Sequence, residues 1–345
     1  LFMGASSTIK WTGPSVLLAY AIAGVFVFLI MRALGEMVYV YPDTGSFAKF
    51  ANDYIHPSFS FVTAASSTFN WIIVGMSEVI AVGSYFKFWW PDLPSWIPGL
   101  AVVLILLSAN LVSVKWFGEF EFWFSSIKVA AIGVFIFLCS LYLFGFWPNH
   151  QASGLGESLN HGGFMPNGWV PVLSGAVAAT GFYFGAEIVT IAAAETKNPE
   201  QSVAKATQSV ITRVLLFYVC SIFLVVCLVP WSSPDIATPY VSALKVLNIP
   251  FVADIMNAVI LVAVLSCLNS GVYAASRMLF ALTKNGDAPR ALTKLSKNGV
   301  PVRAILFSTL FGYISILASY FSPEGIFPFL VESYGTVALF VYIII

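Results

Sequence analysis

The sequence predicts an all-α protein that spans a membrane. Charged residues make up only 9% of its 345 positions and hydrophobic residues 59%, whereas a soluble domain carries about 25% charged residues. The apolar residues also gather into runs of about 20, the length that a helix needs to cross a bilayer. The alternating segments of about 10 residues that build membrane β-barrels are absent from the sequence.

Nine apolar runs are long enough to span the bilayer, and the opening residues 1–14 have the look of a half-helix. The chain begins inside a predicted helix without a Met and stops within a predicted span. We therefore expect residues 1–345 to be a single transmembrane domain truncated at both ends. The nine runs are 15–41, 58–88, 96–114, 122–146, 170–196, 214–231, 251–283, 302–320 and 327–345.

Basic residues fall mainly on one side of the predicted spans, and cytoplasmic loops are the ones enriched in Lys and Arg. This rule places loops 42–57, 197–213 and 284–303 in the cytoplasm, and loops 147–169 and 232–250 outside. The richer side carries Arg32, Lys49, Lys115, Lys197, Lys205, Arg213, Arg277, Lys284, Arg290, Lys294, Lys297 and Arg303, and the other carries Lys10, Lys87 and Lys245.

Several classes of protein are disfavoured by composition. The net charge is +0, so nothing favours a nucleic-acid partner. No metal-ligand cluster, phosphate loop or Ser/His/Asp set appears, and the three histidines fall in loops, so we expect no enzyme activity, cofactor or metal. The cysteines, each inside an apolar run without a CxxC spacing, are expected to be packed thiols. They are Cys139, Cys220, Cys227 and Cys267.

Three ionisable residues lie well inside predicted spans: Glu78, Lys128 and Glu187. Such residues are costly in a bilayer, and the default interpretation is functional. Lys128 stands about two turns from the cytoplasmic end, so it either extends to the interface or exchanges a proton within the protein. Arg32 and Glu36, four residues apart near a helix end, are expected to form an ion pair.

The fifth long span contains two glycines and an acid at mid-membrane depth, in the segment 179–187. One interpretation is a helix break, which frees N–H and C=O groups to hold a substrate. The other is a close helix crossing packed through glycine. Residues 2–5 resemble residues 183–186, which favours an inverted internal repeat. In the seventh span, the polar and small residues 266–276 indicate a packing surface, a transport lining, or both.

Several motifs along nearly the whole chain resemble those of one family. Together they resemble the amino acid transporter group of the amino acid–polyamine–organocation permeases, and segments 162–168 and 185–195 are most similar to bacterial γ-aminobutyrate permeases. The motifs are 34–37 (LGEM), 41–47 (YPDTGSF), 110–115 (NLVSVK), 117–124 (FGEFEFWF), 127–129 (IKV), 185–195 (GAEIVTIAAAE), 198–199 (NP), 266–270 (SCLNS) and 275–280 (ASRMLF).

The resemblance implies a LeuT-type five-plus-five inverted repeat, running here from the outer half of helix 1 to helix 10. It also implies that Lys128 stands where sodium-coupled relatives hold a cation, with Ser270 as a second proton-coupling residue. Glu195 matches the acid that ends helix 6. The implied substrate-binding residues are Gly181, Phe182, Tyr183, Phe184, Gly185, Glu187, Glu78 and Asn269.

The sequence departs from the family at the aromatic gate of helix 6. Family members usually place an aromatic residue at the position of Gly181 and a small residue after it, whereas here Phe182 comes second. Either the gate has moved by one residue or the pocket is larger.

The leading functional hypothesis is import of an amino acid across the cytoplasmic membrane by proton symport, with the bilayer, protons and the amino acid as partners. An exchanger without net proton coupling is the first alternative. A non-transporting amino acid sensor is the second, although no signalling domain is visible. An ion channel would require a ring of charges or a filter motif, and neither appears.

Overall fold

A computed structural model describes residues 4–40, 47–112, 115–148, 152, 162–186, 205, 214–296, 300–322 and 325–344. All regular structure in these ranges is helical, as a bilayer demands, because a helix pairs its own backbone groups. The first five α-helices are α1 (Gly4–Thr12), α2 (Val16–Val40), α3 (Phe47–Tyr54), α4 (Pro57–Phe86) and α5 (Trp96–Val112).

Seven more α-helices follow in the described part of the chain, five of 15 to 34 residues and two of eight residues. They are α6 (Lys115–Leu143), α7 (Trp169–Tyr183), α8 (Ser221–Leu228), α9 (Pro239–Val246), α10 (Val252–Asn285), α11 (Val302–Phe321) and α12 (Ile326–Ile344). A π-helical segment, Val214–Cys220, leads directly into α8. Single 3-10 turns lie at Gly13–Ser15, Pro234–Ala237 and Arg290–Thr293.

Six helices of the described part are long and apolar enough to cross a membrane, and three shorter apolar helices accompany them. Each of the nine predicted spans overlaps one of these helices. The helix α7 ends at Tyr183, inside the predicted span 170–196, and α6 begins at Lys115 rather than at 122. The acids Glu119 and Glu121 interrupt the apolar run there, but charged residues are compatible with helix. The helix α3, in a predicted loop, has apolar residues at 47, 50, 51 and 54, the spacing of one helical face.

The chain divides into two compact units. Unit 1 comprises Leu1–His56, Ala131–Asp254 and Ala338–Ile345, and unit 2 comprises Pro57–Ala130 and Ile255–Val337. In unit 1, α2 packs along α7, with Ala19, Val172 and Ala176 buried between them. Small residues at this crossing bring the two helix axes close together.

Unit 2 is built around α4, α5 and α11, which pack on one another. The helix α10 also lies against α4, where Gly271 faces the backbone oxygen of Trp71. At the far end of α4, Asn257 Nδ2 donates to the backbone oxygen of Tyr85 over 2.9 Å. Through these contacts α4 and α10 pack against each other, and both helices carry polar residues of unit 2.

The predicted ion pair at the end of α2 is confirmed. Arg32 Nε lies 3.2 Å from Glu36 Oε1, and both side chains are largely exposed. An exposed pair of this kind contributes little to stability, so its role is local to the end of the helix.

The helix α7 approaches its neighbours closely at Gly175, where a Cβ would stand 2.8 Å from Thr12 Cγ2 and 3.4 Å from Ala19 Cβ. Gly175→Leu should therefore destabilise the protein by more than about 1–3 kcal/mol, the usual cost of overpacking. The measurement is the melting temperature of the purified full-length protein in detergent.

Gly133→Leu is the matched control, since Gly133 lies exposed within α6 and no atom stands within 4 Å of its built Cβ. We expect the control to melt close to the unmodified protein. Equal melting temperatures for the two leucine variants would contradict the packing assigned to α7.

Candidate functional site

The helix α7 ends inside the segment where the sequence predicts a break. Its last residue is Tyr183, and Phe184 leaves the helix with φ −58° and ψ 134°. Gly185 follows with φ +100°, a conformation that side chains rarely adopt and glycine adopts readily. Gly181–Gly185 is therefore the end of a helix rather than a continuous helix crossing. The predicted site residue Glu187, like Glu195, lies outside the described residues.

The carbonyl groups freed at this helix end have specific partners. Phe184 N–H donates to Gly181 O over 3.2 Å. Tyr218 Oη donates to Phe182 O over 3.0 Å, and Tyr342 Oη donates to Tyr183 O over 3.4 Å. The sequence did not point to Tyr218 or Tyr342 as site residues. The one feature that could have indicated them is a hydroxyl group within an apolar run.

Aromatic rings surround the break. Phe182 stacks on Tyr20 with ring centroids 5.8 Å apart, and its ring occupies the space where a side chain at Gly4 would stand. Tyr183 Oη donates to the backbone oxygen of Tyr20 over 3.2 Å. Phe182, the residue after Gly181, thus places an aromatic ring against α1 and α2. Members of the resembled family usually carry the aromatic gate residue one position earlier, at the position of Gly181.

In unit 2, three polar residues within one turn of α10 each meet a polar residue of a different helix. Ser266 accepts a hydrogen bond from Lys128 Nζ of α6 over 2.8 Å. Asn269 Oδ1 accepts one from Asn110 Nδ2 of α5 over 2.8 Å. Between them stands Cys267, which faces α4.

The Cys267 thiol faces the carboxyl group of Glu78 on α4. Successive residues of a helix point about 100° apart, so 266, 267 and 269 face three directions and reach three helices. The Lys128 amine is therefore directed to α10. The role of Lys128 in proton exchange stays a prediction.

The last predicted residue of this group, Ser270, is half-buried one turn beyond Ser266. The structure thus brings Lys128 to Ser266 at 2.8 Å, a contact that the prediction had not named. Further along α10, the Arg277 guanidinium lies 3.4 Å from the centroid of the Tyr273 ring. Where the polar residues 266–276 of α10 contact other side chains, this face of the helix is a packing surface.

Unit 2 also has an apolar pocket between α4, α5, α10 and α11. Its space is made by Gly75, Gly271 and Gly312, and Trp71 and Leu268 form part of its wall. An apolar lining of this kind does not satisfy the charged ends of an amino acid. Among the described residues, no group of three or more His, Cys, Asp or Glu side chains is placed to hold a metal ion.

Comparison with known proteins places the chain among transporters. The family model described as amino acid permease matches residues 1–345. A probable threonine/serine transporter of Bacillus subtilis is 47% identical over 95% of this chain and 71% of its own length. The γ-aminobutyric acid permeases of Bacillus subtilis and Escherichia coli are 46% and 44% identical, over 100% of this chain and 74% of their own lengths.

The family match and the apolar helices agree with each other, since relatives named as permeases and transporters require a chain that spans a membrane. The protein is thus an integral membrane protein, and the relatives are transporters rather than enzymes. Because a single family model matches the chain from its first described helix to its last, the chain belongs to the amino acid permease family.

Proposed function

We propose that the protein imports an amino acid across the cytoplasmic membrane by proton symport. The observation that carries the proposal is the Lys128 amine, which lies within an apolar helix and donates to Ser266 over 2.8 Å. An amine can hold or release a proton, and one directed inward from a membrane helix is placed to couple protonation to a change in its neighbours. Glu78 of α4, which faces α10 at Cys267, next to Ser266, is a second ionisable group able to respond to that change.

The proposed architecture is a LeuT-type five-plus-five repeat. The division into compact units supports it, because α-helices six apart in the order used here fall in the same unit. The pairs are α1 with α7, α2 with α8, α4 with α10, and α5 with α11. The fifth pair, α6 and α12, shows the same correspondence in another form, since each of these helices is divided between the two units.

The proposed substrate contacts in unit 1 are the backbone groups of Gly181–Gly185. Carbonyl oxygens at the end of a helix carry partial negative charge, which suits an ammonium group. In unit 2 the proposed contacts are Glu78 and Asn269. Asn110 engages the amide oxygen of Asn269, which leaves the Asn269 NH₂ group as a donor that a carboxylate can accept from.

The proposal keeps the orientation given by the basic residues, with loops 42–57, 197–213 and 284–303 in the cytoplasm of a bacterial cell. The substrate is an amino acid whose side chain is left open, since relatives of nearly equal identity are named for threonine and serine and for γ-aminobutyrate. Competition for uptake between γ-aminobutyrate, threonine, lysine, alanine and phenylalanine would identify it.

Proton coupling is tested by Lys128→Gln, which removes the amine, and Lys128→Arg, which keeps the charge but cannot release a proton. A gradient of one pH unit is equivalent to about 1.4 kcal/mol, enough to concentrate a substrate about tenfold for one coupled proton. We expect both variants to lose this accumulation. The measurement is uptake into liposomes containing the full-length protein under an imposed pH gradient.

Lys87→Gln is the control, because Lys87 is exposed just after α4; its uptake should match that of the unmodified protein. Unchanged gradient-driven uptake by Lys128→Gln would show that the coupling role is wrong. Counterflow by the unmodified protein without any response to the gradient would instead favour the exchanger.

A direct role for Asn269 is tested against its partner Asn110. A hydrogen bond to a charged group contributes about 1.5–3 kcal/mol, so Asn269→Ala should raise the KM for uptake by about tenfold or more. Asn110→Ala keeps the Asn269 amide and should raise the KM less. If the two variants raise the KM equally, Asn269 acts through packing and not on the substrate.

A further inference from the structure

One face of the membrane helix α4 is both polar and buried. It carries Thr63, Ser67, Asn70 and Ser77, each at most 5% exposed. At about 100° and 1.5 Å per residue, these four side chains fall within about 80° around the helix and extend along about 21 Å of it. The row ends next to the ionisable residue Glu78. Since a buried polar group is costly unless it is hydrogen-bonded, each of the four needs a partner.

Two of the four have a partner in their own helix. The hydroxyls of Thr63 and Ser77 donate to backbone carbonyl groups about one turn earlier, each over 2.7 Å. In contrast, Ser67 Oγ and both polar atoms of the Asn70 amide are shielded from solvent and have no hydrogen-bond partner in the part of the chain that the structure describes. Three polar atoms within one turn of α4 are therefore desolvated without compensation.

The neighbouring helices of unit 2 meet α4 on other faces. The helix α10 approaches it at Trp71 and Gly75, and α5 and α11 both contact it at Val79. Asn70 is directed about 180° away from Val79 and about 140° away from Gly75 around the helix axis. The unpartnered groups thus do not belong to the packing that joins α4 to α5 and α11.

We propose that Ser67 and Asn70 form a water-binding site through which solvent from the cytoplasmic end of α4 moves toward Glu78. Water both donates and accepts, so it can satisfy the Asn70 N–H and C=O groups and the Ser67 hydroxyl together. Because these atoms are shielded from solvent in this conformation, water enters when the packing over this face loosens. The loosened conformation is favoured by the same groups that the sealed one leaves unpaired.

Water at this site has a consequence for the carboxyl group of Glu78, which lies about 12 Å further along α4 than Asn70. A short chain of waters past Ser77 would let this group exchange a proton with the cytoplasm. That consequence, and the placing of the first residues of α4 on the cytoplasmic side, rest on the proposed function. The binding of water at Ser67 and Asn70 does not.

The site is tested by labelling single cysteines in the full-length protein. Ser67→Cys places a thiol at the site, and a thiol reacts as its thiolate, which apolar surroundings suppress. Thr68→Cys is the matched control, because Thr68 is 5% exposed, points about 100° away and donates to Ala64 O over 2.8 Å. The reagent is the membrane-impermeant trimethylammonium-ethyl methanethiosulfonate, added to membrane vesicles of both orientations. The unmodified protein gives the baseline for native thiols such as the exposed Cys220.

We expect Ser67→Cys to react faster than Thr68→Cys from the cytoplasmic side. Leaving a buried group unpaired corresponds to about 5- to 150-fold in an equilibrium, so the difference in rate should fall in that range. Adding Asn70→Leu to Ser67→Cys should slow the reaction by a similar factor, since leucine has the branched shape of asparagine and gains nothing from water. Asn70→Ala is a second variant without the amide, and monodisperse elution in detergent shows which of the two is folded.

Each outcome decides one claim. Equal labelling of Ser67→Cys and Thr68→Cys would overturn the site, as would labelling that is unchanged when the Asn70 amide is removed. Labelling of Ser67→Cys from the outer side alone would overturn the direction of access. If the unmodified protein transports no amino acid, the proposed function fails, and the comparison of labelling rates still decides whether water reaches Ser67 and Asn70.

Discussion

The structure depends on one constraint, which is that every backbone N–H and C=O within the bilayer needs a partner supplied by the protein. The long helices α2, α4, α10 and α11 meet this constraint internally. Where a helix stops at Tyr183, the constraint is met by the Phe184 amide and by hydroxyls from Tyr218 and Tyr342. A break in a membrane helix is therefore never a local feature, because its stability is set by residues far away in the sequence.

The same constraint acts on the polar side chains of unit 2. Ser266, Cys267 and Asn269 lie in an apolar helix and would be costly there alone. Each is paired with a polar group of a different helix, Lys128, Glu78 and Asn110. These residues resemble a transport lining in the sequence. In the structure, their side chains also hold α10 against its neighbouring helices. Any change of protonation at Lys128 would act on a contact that holds two helices together.

The sequence was sufficient for features that depend on local pattern. The spans follow from apolar length, the Arg32–Glu36 pair from its four-residue spacing, and the break from the glycines around Tyr183. It was insufficient for contacts between distant residues. Tyr218 and Tyr342 lie 35 and 159 residues from Tyr183, and nothing local distinguishes them from tyrosines that only fill space. The start of α6 was missed for a different reason, since hydropathy detects the apolar part of a helix and α6 extends beyond it.

On the proposed function, recognition through backbone groups explains how relatives with different named substrates are similarly close to this chain in sequence. In that proposal, an ammonium group held by backbone carbonyls of Gly181–Gly185 is recognised in the same way whatever side chain the amino acid carries. Discrimination between substrates then falls to the side chains around the break, where Phe182 packs on Tyr20 and against Gly4. An aromatic residue moved by one position along α7 alters the wall of the site and leaves its acceptors in place. On the proposed function, the exchange of order between Gly181 and Phe182 therefore changes which side chain is accepted, and not whether an amino acid is accepted.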